Sequence, residues 1–252
     1  DRRRSSFFRE QLIAVLQLID KGHFAIDVRG SWAGAMGNHQ FIPTTYRDFA
    51  VDFDGDGITD LWNSLPDIFA SAANYLAQAG WKGDQTWGRE VRISGLFDLG
   101  LTGLQSQKSL REWNALGVRR VDGRELPNVI LDDASLLLPS GYKGPKFLVY
   151  KNYRTTMIWN RSQLYAFAVG HLSDRLIGKP PIQADLGDIH PLARSKVIEI
   201  QKRLNKAGFK AGEPDGRVGP ITRRAIRRYQ VKHGLPPDGF PNSQLIDHLR
   251  DK

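Results

Sequence analysis

The stretch Asp52-Phe-Asp-Gly-Asp-Gly-Ile-Thr-Asp-Leu-Trp-Asn63 restricts the fold of this chain more than any other segment. It sets three carboxylates two residues apart, a glycine at its sixth position and a fourth carboxylate at its ninth. That is the order in which a calcium-binding loop opens. Such loops close with a glutamate at the twelfth position, and here the twelfth residue is Asn63. From the residues alone three readings stand: a calcium sensor, a calcium site closed in another way, and a polar turn. Four acids this close repel one another without a cation, which favours a site.

Helical periodicity lies on both sides of the loop. Ser5 to Lys21 reads as a helix with Phe8, Leu12, Val15, Leu16 and Ile19 on one face and Gly22 as its stop. Pro66 and Asp67 open a second helix through Ile68, Phe69, Ala72, Tyr75, Leu76 and Ala79 to Gly80. Between about residues 82 and 150, short segments such as Glu90–Ile93, Asn128–Leu131 and Lys146–Tyr150 alternate with Gly, Pro and Asp turns, which predicts a β-rich insertion. Helical pattern resumes over Asn160–Leu172 and ends near Gly178. The expected class is α+β, predominantly helical.

A proline-containing break places a linker at 179–190, between a domain spanning 1–178 and a small domain at 191–252. The small domain repeats one design. A helix with Val197, Ile200 and Leu204 leads through Asp215-Gly216 to a helix with Ile221, Ala225, Ile226 and Tyr229. That helix leads in turn through Asp238-Gly239 to a last helix with Leu245 and Leu249.

With 252 residues, 40% of them apolar and 10% aromatic, the chain can bury a core in one large domain or two unequal ones. No apolar run approaches the roughly eighteen residues of a membrane span. No signal-peptide pattern opens the chain, and its first residue is Asp1, so a processed chain or a fragment is expected. The absence of cysteine excludes disulfides, thiolate metal sites and cysteine nucleophiles. The six histidines show no paired metal spacing. A net charge of +9, of which the segment from Ala184 onward carries +6, suits an anionic partner: nucleic acid, anionic lipid or an acidic wall polymer.

The segment Gly30–Tyr46 combines small residues, which let backbone approach a ligand, with Trp32, Gln40 and Tyr46, which stack and hydrogen-bond. A sugar groove and a tight helix packing site both fit that composition. Ser31 to Tyr46, the following Arg47-Asp-Phe-Ala-Val-Asp-Phe-Asp-Gly-Asp-Gly57, Asp60-Leu-Trp62, Ala73-Asn-Tyr-Leu76, Gly80-Trp81, Arg3-Arg-Ser-Ser-Phe-Phe8 and Trp159-Asn-Arg-Ser-Gln-Leu-Tyr-Ala166 together resemble the membrane-bound lytic transglycosylase B family of peptidoglycan-cleaving enzymes. The C-terminal part resembles the type 1 peptidoglycan-binding domain through Gln201-Lys-Arg-Leu204, Gly208-Phe209, Asp215–Thr222, Tyr229-Gln230 and Gly234-Leu235.

The resemblance implies a lysozyme-like domain with a lyase activity. It would cut the β-1,4 bond between N-acetylmuramic acid and N-acetylglucosamine without water and leave 1,6-anhydro ends. One glutamate acts first as acid and then as base, with a pKa raised by burial. In the family that glutamate precedes the Arg-Arg-x-x-Phe-Phe segment by some thirty residues or more, so it is expected upstream of Asp1. Glu10, Glu90, Glu112 and Glu125 read as surface acids.

Carried over by position, Ser31, Gln40, Tyr75 and Asn160 are the expected groove residues, with Trp159 and Tyr165 as sugar platforms. Arg3 and Arg4 would meet substrate carboxylates. The expected metal ligands are Asp52, Asp54, Asp56, the carbonyl of Ile58 and, by the resemblance, Asp67 as the closing carboxylate, with Asp60 reaching through water. A structural calcium ion is the one cofactor expected.

In the small domain, Asp215, Arg217 and Thr222 are the expected wall-binding residues, Thr222 doubling as a helix cap. Arg223, Arg224, Arg227 and Arg228 form a basic face. A DNA-reading helix is the rival for that face, and the Asp-Gly signature argues against nucleic acid. The partners implied are peptidoglycan glycan strands and stem peptides. The location implied is the Gram-negative periplasm, with an upstream lipid as the only tie to the outer membrane. A non-catalytic peptidoglycan-binding scaffold is the alternative.

Overall fold

Helix α1 runs Ser5–Asp20 in the computed structural model, which describes residues 4–185 and 192–252. Its buried face is Gln11, Ala14 and Leu18, whereas Leu12 and Leu16 are more than half exposed. The expected apolar face is therefore rotated by about one residue. The cause is Gln11, whose Oε1 accepts hydrogen bonds from the Thr44 N–H and hydroxyl at 3.0 and 3.1 Å. Thr44 stands in the first turn of α2 (Pro43–Phe49), which has no side-chain cap of its own, so α1 satisfies an orphan N–H of its neighbour. Helix α3 spans Leu65–Gln78 with Ser64 as N-cap. It buries Asp67, Ile68 and Ser71 and leaves Phe69 exposed.

Contacts divide the chain into the units Asp1–Gly83 and Asp84–Lys252, so the β-rich part and the C-terminal helices share the second unit. Its sheet has the order β2-β1-β4-β3 and is antiparallel throughout. The strands are β1 (Gly88–Ile93), β2 (Val118–Arg120), β3 (Ser135–Leu137) and β4 (Lys146–Val149). Both faces are covered. Val91, Trp113, Val118, Leu136 and Leu148 form one cluster, and Trp87, Leu137, Phe147, Val149 and Tyr153 form the other.

Two of the three expected strand segments fall on β1 and β4, but Asn128–Leu131 is not a strand. The edge of β4 pairs instead with the fully buried run Ser135–Leu137, while Ile130 is 95% exposed after the turn at Pro127. Helix α4 (Leu110–Ala115) starts with a reciprocal capping box between Ser109 and Glu112.

Helix α5 (Lys151–Trp159) has no counterpart in the sequence reading because it buries Asn152, Tyr153, Thr155 and Thr156, which show no apolar period. Their polar atoms are satisfied: Asn152 Nδ2 donates to Gln85 O, and the Thr155 and Thr156 hydroxyls donate to the carbonyls four residues back. Helix α6 (Gln163–Leu176) begins three residues later than expected, after the Ser162 cap. Asn160 closes α5 instead, and its Oδ1 accepts the Ser162 N–H at 3.0 Å.

The expected linker is described as far as residue 185. There the Gln183 and Ala184 N–H groups each donate to the Glu90 carboxylate at 2.8 Å, so Glu90 anchors this segment to β1. Helices α7 (Arg194–Lys206), α8 (Pro220–Lys232) and α9 (Ser243–Arg250) enclose Ile200, Leu204, Ala225, Ile226, Tyr229, Leu245 and Leu249. The expected α8 face holds except at Ile221, which is exposed. The class is α+β and predominantly helical, as expected.

Trp113 is fully buried and donates from Nε1 to Ala134 O at 3.0 Å. Trp113→Ala is expected to cost about 3–5 kcal/mol in urea unfolding. Glu199 ties α7 to α9 through Arg250 and pairs with Arg203 one turn along α7, and the two guanidiniums together hold its carboxyl down at about 2. A depressed folded pKa stabilises above the ordinary glutamate value of 4.5, and that contribution is lost as pH falls toward 2. The acid side of the stability profile should therefore flatten in Glu199→Gln, as melting temperatures between pH 5 and about pH 2 would report.

Candidate functional site

In the first unit the acidic loop is wound by its own side chains. Asp52 accepts the Gly55 N–H on Oδ1 (2.7 Å) and the Gly57 N–H on Oδ2 (2.9 Å). Asp56 Oδ1 accepts the Ile58 N–H at 2.8 Å. Gly57 has φ +89, a left-handed geometry that explains glycine at the sixth position. Each of Asp52, Asp54 and Asp56 brings a carboxylate oxygen to within 4.8 Å of the others, an arrangement that offers a hard cation oxygen ligands.

Asp67 lies outside that group. It is fully buried, with Oδ1 accepting the Phe53 N–H (2.8 Å) and Oδ2 the Asp60 N–H (2.9 Å). The carboxylate expected to close a cage thus clamps the two ends of the loop. Burial alone would raise the Asp60 carboxyl. The Asn63 amide and the Trp62 and Asn63 N–H groups outweigh it and hold Asp60 below the usual carboxylate range.

The exit of this loop is bonded to the small-residue segment. Asn38 Nδ2 donates to Trp62 O (2.8 Å) and Leu61 O (3.3 Å), and the Asn38 N–H donates to Leu61 O at 2.9 Å. A Cβ on Gly37 would stand 2.8 Å from Leu61 O, so only glycine permits this approach. The Tyr46 hydroxyl donates to Thr59 O at 2.7 Å, and burial is the main cause raising its pKa to about 12.

Gln40 sits at the tip of this segment with φ +53, rare for a residue with a side chain, and its Nε2 donates to Gly37 O at 3.0 Å. Behind it Tyr75 packs edge-on to Phe49 and tilted to Phe41, half-buried, its pKa raised by burial. Tyr75 is thus both core and candidate wall. The Ser31 hydroxyl accepts the Ala35 and Ala33 N–H groups, which makes it a turn-former first. Trp32 is 91% exposed. Arg4 is exposed before α1, and Arg3 lies outside the described residues.

In the second unit Trp159, Asn160 and Tyr165 cluster along the chain at the α5–α6 turn, with Asn160 and Tyr165 exposed. Glu10 and Glu125 are exposed, Glu90 anchors the linker segment and Glu112 caps α4, so each has a surface or structural role.

The two Asp-Gly turns of the C-terminal helices are each built on a hydrogen-bonded cage of the same pattern. In the first, Gln201 Nε2 donates to Asp215 Oδ1 (3.2 Å), Gln201 Oε1 accepts the Gly216 N–H (2.9 Å) and Asp215 Oδ1 accepts the Arg217 N–H (2.8 Å). In the second, Gln230, Asp238, Gly239 and Phe240 repeat these bonds at 2.8, 2.8 and 2.9 Å. The two glutamines read in the sequence only as motif residues; that each organises the turn after its helix is shown by these bonds. Thr222 is buried and donates to Ala211 O at 3.1 Å, so it braces the first turn and does not cap α8.

The expected basic face is split. Arg224 and Arg228 are exposed, but Arg227 forks onto the Thr102 carbonyl (3.1 Å) and hydroxyl (3.0 Å), just after the 3-10 turn Leu99–Leu101. Burial lowers the Arg223 and Arg227 pKa values while Asp238 counters it. Asp238 Oδ2 in turn accepts the Tyr142 N–H at 3.0 Å.

Residues 1–174 match the family described as "Transglycosylase SLT domain", and residues 193–249 match "Putative peptidoglycan binding domain". The chain belongs to the SLT transglycosylase family. The match to the SLT domain covers both units' candidate groove residues, from Ser31 to Tyr165. Membrane-bound lytic murein transglycosylase B of Escherichia coli is 34% identical over 175 residues, 68% of this chain and 46% of that protein. The chain thus spans about half the length of this curated relative.

The structure of SltB3 from Pseudomonas aeruginosa in complex with NAG-anhNAM-pentapeptide superposes with a TM-score of 0.92 at 46% identity, over 98% of this chain and 67% of that one. The Escherichia coli lytic transglycosylase Slt35 in complex with calcium gives 0.56 at 31% identity, over 69% and 55%. The lysozyme-like SLT fold expected from sequence is shown by these matches.

Arg227→Met should remove charge-assisted bonds to a buried threonine and cost about 1.5–3 kcal/mol in urea unfolding. Arg224→Met, on the exposed side of the same helix, should stay within about 0.5 kcal/mol.

Proposed function

We propose that this protein acts as a peptidoglycan lytic transglycosylase. It cleaves the bond between N-acetylmuramic acid and N-acetylglucosamine without water and leaves 1,6-anhydro ends. The observation that carries this reading is the match over 98% of the chain to SltB3, whose structures hold NAG-NAM-pentapeptide and NAG-anhNAM-pentapeptide. Those two ligands correspond to the two sides of such a reaction.

The acid that protonates the leaving oxygen and then takes the muramoyl 6-hydroxyl proton is a glutamate contributed by sequence preceding Asp1. The roles of Glu10, Glu90, Glu112 and Glu125 described above support that assignment. The residues present bind and orient. Gln40 is held at one geometry by its left-handed backbone and its bond to Gly37, and Asn160 by its bond to Ser162. Fixed polar groups of this kind raise rate by positioning the reacting atoms. Trp159 and Tyr165 provide stacking surfaces for sugar rings. Arg3 and Arg4 pair with substrate carboxylates. The C-terminal helices hold the enzyme on the wall polymer. The site of action is the periplasm, with outer-membrane attachment through an upstream lipid; among the described residues no helix is long and apolar enough to cross a membrane.

The acidic loop is further proposed to hold calcium on Asp52, Asp54, Asp56 and the Ile58 carbonyl, with Asp67 fixing the loop. The converging carboxylates and the calcium complex of Slt35 support this. Calcium there stiffens Leu61 and Trp62, and through them the Asn38–Gln40 turn.

Mass spectrometry of sacculi digested by a chain extended at its N-terminus should show 1,6-anhydromuropeptides, and Gln40→Ala should slow their release by about a hundredfold. Binding of sacculi with no release would replace the enzyme by a wall-binding scaffold. For the metal, calcium at about a hundred times its Kd should add about 2.7 kcal/mol to stability. A calorimetric melt that does not move at about 10 mM calcium, or that moves equally in Asp54→Asn, would remove the site.

A further inference from the structure

The two Asp-Gly turns are built alike but used differently, and the difference shows what the cage can hold. In the second turn, Asp238 spends Oδ1 on Gln230 and Phe240, while Oδ2 accepts a main-chain N–H, that of Tyr142, from another part of the chain. The residue before that N–H is Gly141, with φ +82; an L-Cβ there would stand 3.0 Å from both Asp238 Oδ2 and the Phe240 ring. The cage thus receives an amide that follows a residue in the left-handed region, where glycine and D-residues are at ease and L-residues are strained.

In the first turn the cage bonds accepted by the Asp215 carboxylate all go to Oδ1, and the residue is exposed. Arg194 donates twice to the Asp215 carbonyl (3.2 and 3.1 Å) and Arg227 once to that of Asp238 (3.4 Å), so a guanidinium braces the turn in both copies. Arg217, exposed two residues on, places a guanidinium beside it.

We infer that the Asp215-Gly216-Arg217 turn is a receptor for a D-residue-containing peptide, Asp215 Oδ2 accepting the amide that follows a D-residue and Arg217 pairing with the terminal carboxylate. The second turn displays the same contact made within the chain, with Gly141 in place of the D-residue. This rests on the reading that the C-terminal helices bind peptidoglycan, and it names the wall peptide, with its D-alanines, as what this turn recognises. Asp215 is kept ionised for the role, because the Arg217 N–H and the Gln201 amide hold its carboxyl below the usual range.

The test is a titration of the ¹⁵N-labelled full chain with N-acetyl-Lys-D-Ala-D-Ala and with its all-L diastereomer, beside sedimentation with sacculi. Amide shifts are expected at Gly216, Arg217 and the Gln201 side chain, with the all-L peptide at least about tenfold weaker. Asp215→Asn keeps Oδ1, and with it the cage, but turns the outer atom from acceptor to donor. It should lose about tenfold or more in affinity at an unchanged melting temperature. Arg217→Gln, at an exposed position that cannot unfold the helices, should weaken the peptide several-fold. Equal affinity for the diastereomers, shifts confined elsewhere, or unaltered binding in both variants overturns the inference. If the chain sediments with sacculi yet the D-peptide leaves Gly216 and Arg217 unmoved, the inference falls and the wall-binding reading stands. Failure to sediment removes both.

Discussion

The buried carboxylate of Asp67 is the constraint on which the first unit turns. A carboxylate with no solvent contact is costly unless its oxygens are bonded, and here both are, to the N–H groups of Phe53 and Asp60. Those bonds fix the entrance and the exit of the acidic loop. The exit then fixes Asn38 through the carbonyls of Leu61 and Trp62, and Asn38 stands two residues from Gln40. The candidate catalytic surface in this unit is thus held by a line of backbone bonds that begins at one aspartate on α3. Apolar packing contributes Tyr75 behind it, wedged with Phe41 and Phe49.

The C-terminal helices show a second economy of the same kind. Each Asp-Gly turn is wrapped around a glutamine amide from the preceding helix, whose donor and acceptor are both used. That makes the turn rigid before it meets any partner, and preorganisation lowers the cost of binding. One copy uses its rigidity to grip Tyr142 and, with Arg227, Thr102. The other leaves its outer face to solvent. A repeat weak in sequence is thus close in hydrogen bonding, and its two copies differ in what their outer faces meet.

Much of the fold was legible where a local rule governs. The ends of α1 and α3 follow from Gly22, Pro66 and Gly80, and the three C-terminal helices from their apolar spacing. Helix α5 was not legible, because its inward face is Asn152, Thr155 and Thr156 and only their hydrogen-bond partners make that burial tolerable. The strand misplaced at Asn128–Leu131 is apolar enough to pair, but β4 has one open edge there and the buried run at Ser135–Leu137 occupies it. At the candidate site, sequence singled out Gln40, Asn160 and the aspartates. It did not reveal the bonding roles of Asn38, Gln201 and Gln230, the two glutamines reading only as motif residues, because their partners lie 24, 14 and 8 residues away.

By itself the sequence determined the family, through motifs spread across both matched regions, and the places where the chain must turn. Carboxylate spacing, glycine positions and proline breaks act over a few residues and need no partner to be read. The tertiary structure alone decided which polar groups are buried. Asp67 became a clamp for the loop's own backbone, and the arginines of α8 separated into an exposed pair and a pair facing inward, Arg227 bonded to a threonine 125 residues away. Burial of a charge depends on what packs against it from elsewhere in the chain, and no local pattern carries that information.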